Sequence, residues 1–144
     1  MIEYDDSKEE CIIVDVDGTL SHISDGRLPD EVDRAMNDEP DDAISIIVAM
    51  AYRHGYRVII VTGRKHEHRD VTIKWLEENG IPYDELYTRT PGNRKEDYIV
   101  KRNIYKKYIE PRFNVKFVLE DRNQCVDMWR ELGLKTLQVA YGNF

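Results

Sequence analysis

No apolar run in this sequence approaches the roughly 18 residues that a membrane-spanning helix needs. Its first ten residues, MIEYDDSKEE, are polar and acidic, where an export signal would place a basic stretch before an apolar one. Together these predict no export and no membrane, and so a cytoplasmic protein. Cysteine is scarce as well. Cys11 and Cys125 stand far apart without the C-x-x-C spacing of a metal or redox site, and read as reduced structural thiols. Positive charge is in deficit: 21 Lys and Arg against 28 Asp and Glu leave a net charge of -7, which argues against gripping nucleic acid by bulk attraction. A local basic patch, or a bound cation that reverses the balance of one site, is left open by that number. No internal repeat, low-complexity segment or linker interrupts the 144 residues. They predict a single domain over 1–144, with residues 1–10 as a polar N-terminal segment.

What is present is an alternation of short β-branched runs with longer segments of helical period. It predicts an α/β fold: a three-layer, doubly wound, mainly parallel sheet. The strands are CIIVDV, YRVIIVT, ELYTR, VKFVLE and KTLQVA. A helix is expected to begin near Pro40, suited to a first helical turn, and to stop at Gly55. A second runs from about His68 to Asn79, a third covers RKEDYIVKRNIYKKYI, and a fourth, NQCVDMWREL, ends at Gly133. Residues 21–39 look irregular, so any cap over a site is minimal.

This layout sets Asp15 and Asp17 at the end of the first strand, Thr62 at the end of the second, and Glu120 with Asp121 before the last helix. Ligands of open α/β sheets bind outside the carboxyl ends of the strands, so these groups converge on one rim. In IIVDVDGTL the two aspartates are i and i+2 of an extended chain and face one small site. Two carboxylates about 4 Å apart repel by about 4 kcal/mol at an effective dielectric of 20, or roughly three pKa units. Either one keeps a proton or a cation joins them. A Mg²⁺ ion held by Asp15, a backbone carbonyl near Asp17, and Asp121 would keep Asp15 anionic and leave Asp17 to carry a proton. Asp15 as nucleophile, with Asp17 as acid and then base, suits phosphate monoester hydrolysis through an aspartyl phosphate. Lys101, the Thr62 hydroxyl and backbone N–H groups about Gly63 would stabilise the transferring oxygens. Plainer readings stand beside these: Asp17-Gly18 as a hairpin turn, Thr62-Gly63 as an ordinary turn, and Asp121 with Gln124 as a helix-capping pair.

DVDGTL, VIIVTGR, a helix carrying Lys101, and FVLEDR occur in the order of the four motifs of the haloacid dehalogenase superfamily, which the chain resembles from about residue 11 onward. That resemblance implies a Mg²⁺-dependent phosphatase. A receiver domain also combines aspartates, threonine, lysine and Mg²⁺, but its lysine comes last, whereas Lys101 precedes Glu120-Asp121 here. Within the superfamily, GRLP, VTGR, EDYIVKRNIYKKYIEPRFNVKF and EDRNQCVDMWRELGLKTLQVAYGNF resemble the 3'-phosphatase domain of bacteriophage polynucleotide kinase/phosphatase. This implies removal of 3'-phosphates from DNA or RNA ends, with cyclic phosphates as a further implied substrate. It places essential roles on Asp15, Asp17, Arg27, Arg64, Asp97 and Asp121, with Lys101 as the motif lysine. Arg27 and Arg64 then act as forked phosphate ligands, and Asp97 orients one of them or Lys101; the plainer reading of the arginines is solvated surface. Two departures matter. No G-x-x-x-x-G-K-[ST] stands in the chain, so kinase activity is not predicted, and a separate kinase or ligase would act in the same repair pathway. Glu120 replaces an aspartate of the phage domain, tolerable if it holds a ligand and disturbing if it touches metal.

Two competing functions remain at this point: a phosphatase of free nucleotides or other small esters, and a non-catalytic binding module on the same fold. An open site is also compatible with cover from a second copy, as in a homo-oligomer. His66 and His68, at i and i+2, do not share a helix face and read as helix-entry residues. The basic and tyrosine-bearing segment from Arg94 to Tyr108 reads either as a guide for a nucleic acid strand or as a solvated amphipathic face. Met128 and Trp129 read as core.

Overall fold

Along the first strand, side chains alternate between two faces, and Cys11, Ile12, Ile13 and Val14 are all buried. A strand covered on both faces belongs at the centre of a parallel sheet. The computed structural model, which describes residues 2–24 and 26–144, places it there. Strand β1 (Glu9–Val14) lies between β4 (Arg57–Lys65) and β6 (Phe113–Glu120), with β5 (Glu85–Arg89) and β7 (Thr136–Gln138) at the edges. Every pairing in this five-stranded sheet is parallel. The order β5-β4-β1-β6-β7 is that of a doubly wound sheet: the chain moves outward from β1 through β4 to β5, then crosses back to β6 on the other side.

Helices α1 (Asp42–Arg53) and α2 (Arg69–Glu78) cover one face, where Val48, Trp75 and Leu76 pack against Ile12, Val14, Val58, Ile60 and Leu119. Helices α3 (Asp97–Ile104) and α4 (Asn123–Glu131) cover the other, where Val100, Tyr105, Met128 and Trp129 meet Cys11, Ile13, Ile59, Val61 and Val118. Both cysteines are free and buried. Among the described residues no helix is long and apolar enough to cross a membrane.

Several boundaries differ from the sequence reading, each for a local reason. Pro40 is not in the first helical turn: it pairs with Ser21 in a ribbon of β2 (Ser21–His22) and β3 (Glu39–Pro40), and Asp41 caps α1 by accepting from Ile44 N at 3.0 Å. Strand β4 runs on past Thr62 to Lys65, so Thr62-Gly63 is strand and no turn. The third helix begins at Asp97 rather than Arg94 and passes at Tyr105–Ile109 into a turn of π-helix. Within the stretch expected to be irregular, a 3₁₀ helix (Val32–Asn37) packs on α2 and the Trp75 indole donates to the Asp38 carbonyl at 2.8 Å.

Candidate active site

Past Val14 the chain cannot continue as an antiparallel hairpin, because β1 has parallel neighbours on both sides. It turns instead on the Val16 carbonyl, which accepts from the backbone N–H groups of Thr19, Leu20 and Ser21. Gly18 sits at φ +82° with its Cα against the Asp121 carboxylate, where a Cβ would overlap it. The glycine of DVDGTL thus brings the loop after β1 onto the loop after β6.

Asp15, Glu120 and Asp121 are buried there with one carboxylate oxygen each within 4.8 Å of the others. Lys101, from α3, is also buried and donates to Asp15 Oδ1 and Glu120 Oε2, both at 2.8 Å. The Thr19 hydroxyl lies 3.0 Å from Asp15 Oδ2 and 3.4 Å from Asp121 Oδ1. Burial, then the Glu120 charge, pushes the Asp15 carboxyl up to about 7 despite Lys101. Burial and the Asp15 charge take Asp121 to about 7 as well. Burial alone would lower the Lys101 ammonium, but the charges of Asp15 and Glu120 hold it well above its ordinary value. A dry cluster of three acids with one lysine, every free donor atom an oxygen, fits a hard divalent cation of the Mg²⁺ type. Asp15 and Asp121 could hold it; Glu120 is the most heavily engaged of the three, accepting three hydrogen bonds where Asp15 accepts two. Its Oε2 accepts from Lys101 and, at 3.3 Å, from the Trp129 indole, while its Oε1 accepts from Asp121 N at 3.3 Å. Asp121 does not cap α4, since no side-chain cap is formed there.

Asp17 stands at the mouth with its side chain 48% exposed, outside that carboxylate cluster. Arg64 grips it with a two-pronged contact, Nε to Oδ2 at 2.9 Å and Nη2 to Oδ1 at 2.6 Å, and Arg27 Nη2 lies 3.7 Å from Oδ1. The surrounding protein would raise the Asp17 carboxyl, but the Arg64 hydrogen bonds and charge outweigh this and hold it below the ordinary carboxylate range. As folded here the Arg64 fork thus favours the anionic form of Asp17. Neither arginine is solvated surface. Arg27 is buried against Asp38 by a forked pair at 2.8 and 2.6 Å, and Arg64 donates from Nη1 to the Thr72 hydroxyl at 3.0 Å. Thr62 is buried beside the site, its hydroxyl accepting from Arg64 N at 3.2 Å.

Asp97 departs further from expectation. It orients neither Arg27, Arg64 nor Lys101, but Arg89 and Arg122, at 2.5 and 2.6 Å. A Cβ at Gly63 would stand 2.5 Å from its Oδ1, so Gly63 makes room for this carboxylate. Arg89, Arg122, Thr19, Asp38 and Phe144 are the residues that sequence reasoning missed. Thr19 lay inside the DVDGTL motif and Arg122 inside FVLEDR; Asp38 and Arg89 carry no local signal, because their partners are 11 and 8 residues away.

Asp15, Asp17, Thr62, Gly63, Arg64, Asp97, Lys101, Glu120 and Asp121 line one cavity of about 80 Å³, together with Arg122 and Phe144. Arg27 is the sequence-predicted residue left behind its wall, reaching the site through Asp17.

Comparison with known proteins bears on this arrangement. Residues 9–144 match the family model described as the polynucleotide kinase PNKP phosphatase domain. A putative bifunctional polynucleotide kinase/RNA ligase of Autographa californica nuclear polyhedrosis virus is 27% identical over 134 residues, which are 92% of this chain and 19% of that protein. A chain in the structure of a Pnkp1/Rnl/Hen1 complex superposes with a TM-score of 0.94 at 38% identity, over 99% of this chain and 50% of that one. The chain therefore spans half or less of the length of these relatives. The fold is also that of the class C acid phosphatase from Bacillus anthracis, with a TM-score of 0.69 at 17% identity over 94% of this chain and 67% of that one.

Proposed function

The chain belongs to the family of PNKP phosphatase domains, phosphatases of the haloacid dehalogenase type, and from that premise we propose that it removes 3'-phosphates from polynucleotide ends. The observation that carries the chemistry is the pinned Asp15 carboxylate, with Lys101 on one oxygen and Thr19 on the other, in a cavity whose mouth is held by a second acid and an arginine fork. Mg²⁺ held by Asp15 and Asp121, when bound, offsets the carboxylate charge and withdraws electron density from the phosphate.

Asp15 attacks phosphorus, forming an O–P bond as the ester P–O bond to the 3' oxygen breaks. An incoming phosphate dianion offers Arg64 a bidentate acceptor that competes with Asp17. Released from that guanidinium, Asp17 loses the main contact that keeps it anionic and takes a proton from solvent, which it delivers to the leaving 3' oxygen. Water then attacks the aspartyl phosphate, Asp17 accepts its proton, and inorganic phosphate departs with Asp15 regenerated. Lys101 stays on Asp15 and Glu120, so its part is to hold the nucleophile more than to bind phosphate, and Glu120 serves as its anchor. Dephosphorylation leaves the 3'-hydroxyl that a ligase joins, and the kinase and ligase named in the viral relative support a role beside such activities.

A substrate panel tests this reading. With Mg²⁺ present, phosphate release is expected from a 3'-phosphorylated oligonucleotide, little from a 5'-phosphorylated one, and none with Asp15→Asn. A reversed preference overturns it. Equal turnover of nucleoside monophosphates would favour a phosphatase of free nucleotides, the reading that the net charge of -7 supports.

A further inference from the structure

The catalytic cavity, at about 80 Å³, is too small for a nucleoside, so whatever carries the phosphate must lie outside it. It opens onto a groove of about 570 Å³, and the two share Asp17, Gly63, Arg64, Asp97, Arg122 and Phe144. Farther out, the groove is walled by Ile23, Pro29 and Val32, and edged by the exposed cations Lys65, Arg94 and Lys95 together with Asp30. In a chain of net charge -7, a row of exposed cations beside an apolar wall is a local reversal. It matches a ligand that is anionic along one side and flat and apolar on the other.

Phe144 stands where cavity and groove meet, 64% exposed, and its position is built rather than incidental. Gly142 lies so close to the Asp121 carbonyl and Arg122 Cα that a Cβ would overlap both. Its carbonyl accepts from Asn123 N at 2.8 Å, which seats the segment on the start of α4. Arg122 donates from Nε to the Phe144 carbonyl at 2.7 Å, with its guanidinium 5.3 Å from the ring centroid, and reaches back from Nη1 to Asp97 at 2.6 Å. The ring is thus tied through Arg122 to an acid that lines the cavity. An aromatic held in place before its ligand arrives loses less conformational freedom on contact.

Resting on the phosphatase reading above, we propose that Phe144 is the stacking platform for the base of the phosphorylated terminal nucleotide, with Lys65, Arg94 and Lys95 receiving the phosphodiesters that follow. It is a specificity determinant: it selects esters that carry a nucleobase over phosphate esters that lack one. Every base has a π face, so the selection is for a base and not for its identity.

The test compares two 3'-phosphorylated strands that differ only in the last residue, one with its base and one abasic. The quantity read is the ratio of kcat/KM for the first to that for the second, in wild type, Phe144→Ala and Phe144→Trp. The wild-type ratio is expected to exceed one, to fall about tenfold in Phe144→Ala, and to recover in Phe144→Trp. A wild-type ratio of one, or a Phe144→Ala variant that slows both strands equally, overturns the platform while leaving the 3'-phosphatase reading intact. If wild type releases no phosphate from either strand, that reading falls instead. Fluorescence anisotropy with the same strands then decides the platform: preferential binding of the base-bearing strand that Phe144→Ala abolishes supports it, and equal binding overturns it.

Discussion

Asp38 takes no part in the proposed reaction, yet it decides where two guanidiniums stand. It pairs with Arg27 through both oxygens, the two side chains each 1% exposed, and lies 3.6 Å from Arg64. Removing one partner of a buried pair strands the other without solvent, at a cost of about 3 to 5 kcal/mol. Asp38→Ala is therefore expected to lower stability by about 3 kcal/mol, read as a lower urea midpoint, and to weaken activity by releasing Arg27. Asp15→Asn should behave oppositely. It removes a carboxyl pushed up to about 7 by burial and Glu120, so the metal-free protein should stay as stable or gain stability while turnover is lost. A wild-type urea midpoint in Asp38→Ala would show that the pair is dispensable. The contrast could not be read from sequence: both are buried aspartates, and only their partners separate them.

At the scale of elements, the site is where the ends of β1, β4 and β6 meet the start of α3 and of α4. Most of that was readable, because periodicity and glycine stops marked four helices and five sheet strands. The ends were less so. Strand β4 outruns its apolar stretch because Lys65 still pairs with Arg89 on β5, a tertiary contact with no local signature. The strand expected over KTLQVA covers only Thr136–Gln138, and the YGNF that ends the last motif carried no structural expectation; the structure seats it on the site through Gly142. Its neighbours there are backbone atoms, which cannot swing aside as a flexible side chain can. Gly142→Ala should accordingly destabilise the domain by about 1 to 3 kcal/mol through overpacking, and also lower activity by displacing the Asp121 loop. Thermal melts and phosphate release would measure the two effects; neither changing would mean that the segment yields freely.

For the molecule as a whole, the buried acids make metal-free stability depend on pH in an unusual direction. Asp121 titrates near 7 when folded and near 4 when unfolded. Between those values the folded state binds the proton more tightly, so this group's contribution to stability falls as pH rises through the window and is fully lost above it. Comparing thermal midpoints of wild type and Asp121→Asn in chelator isolates the group: the gap is expected to favour the variant increasingly from about pH 4 to about pH 8. Added Mg²⁺ should raise the wild-type midpoint more at about pH 8 than at about pH 5, since ionised ligands bind it and folded protein alone presents them together. A midpoint indifferent to the ion at both pH values would count against the acidic cluster as its site.

Alternation of apolar residues, the glycine stops and the four motifs determined the doubly wound sheet and the rim to which Asp15, Asp17, Lys101 and Asp121 belong. These are local signals, since periodicity of two or 3.6 and a positive φ are properties of a few neighbouring residues. What only the tertiary structure decided is which charge faces which. Arg64 takes Asp17, Asp38 takes Arg27, Asp97 takes Arg89 and Arg122, and Glu120 takes Lys101. Pairing of that kind depends on distances between elements and on the exclusion of water, and neither quantity is written in the order of residues along a chain.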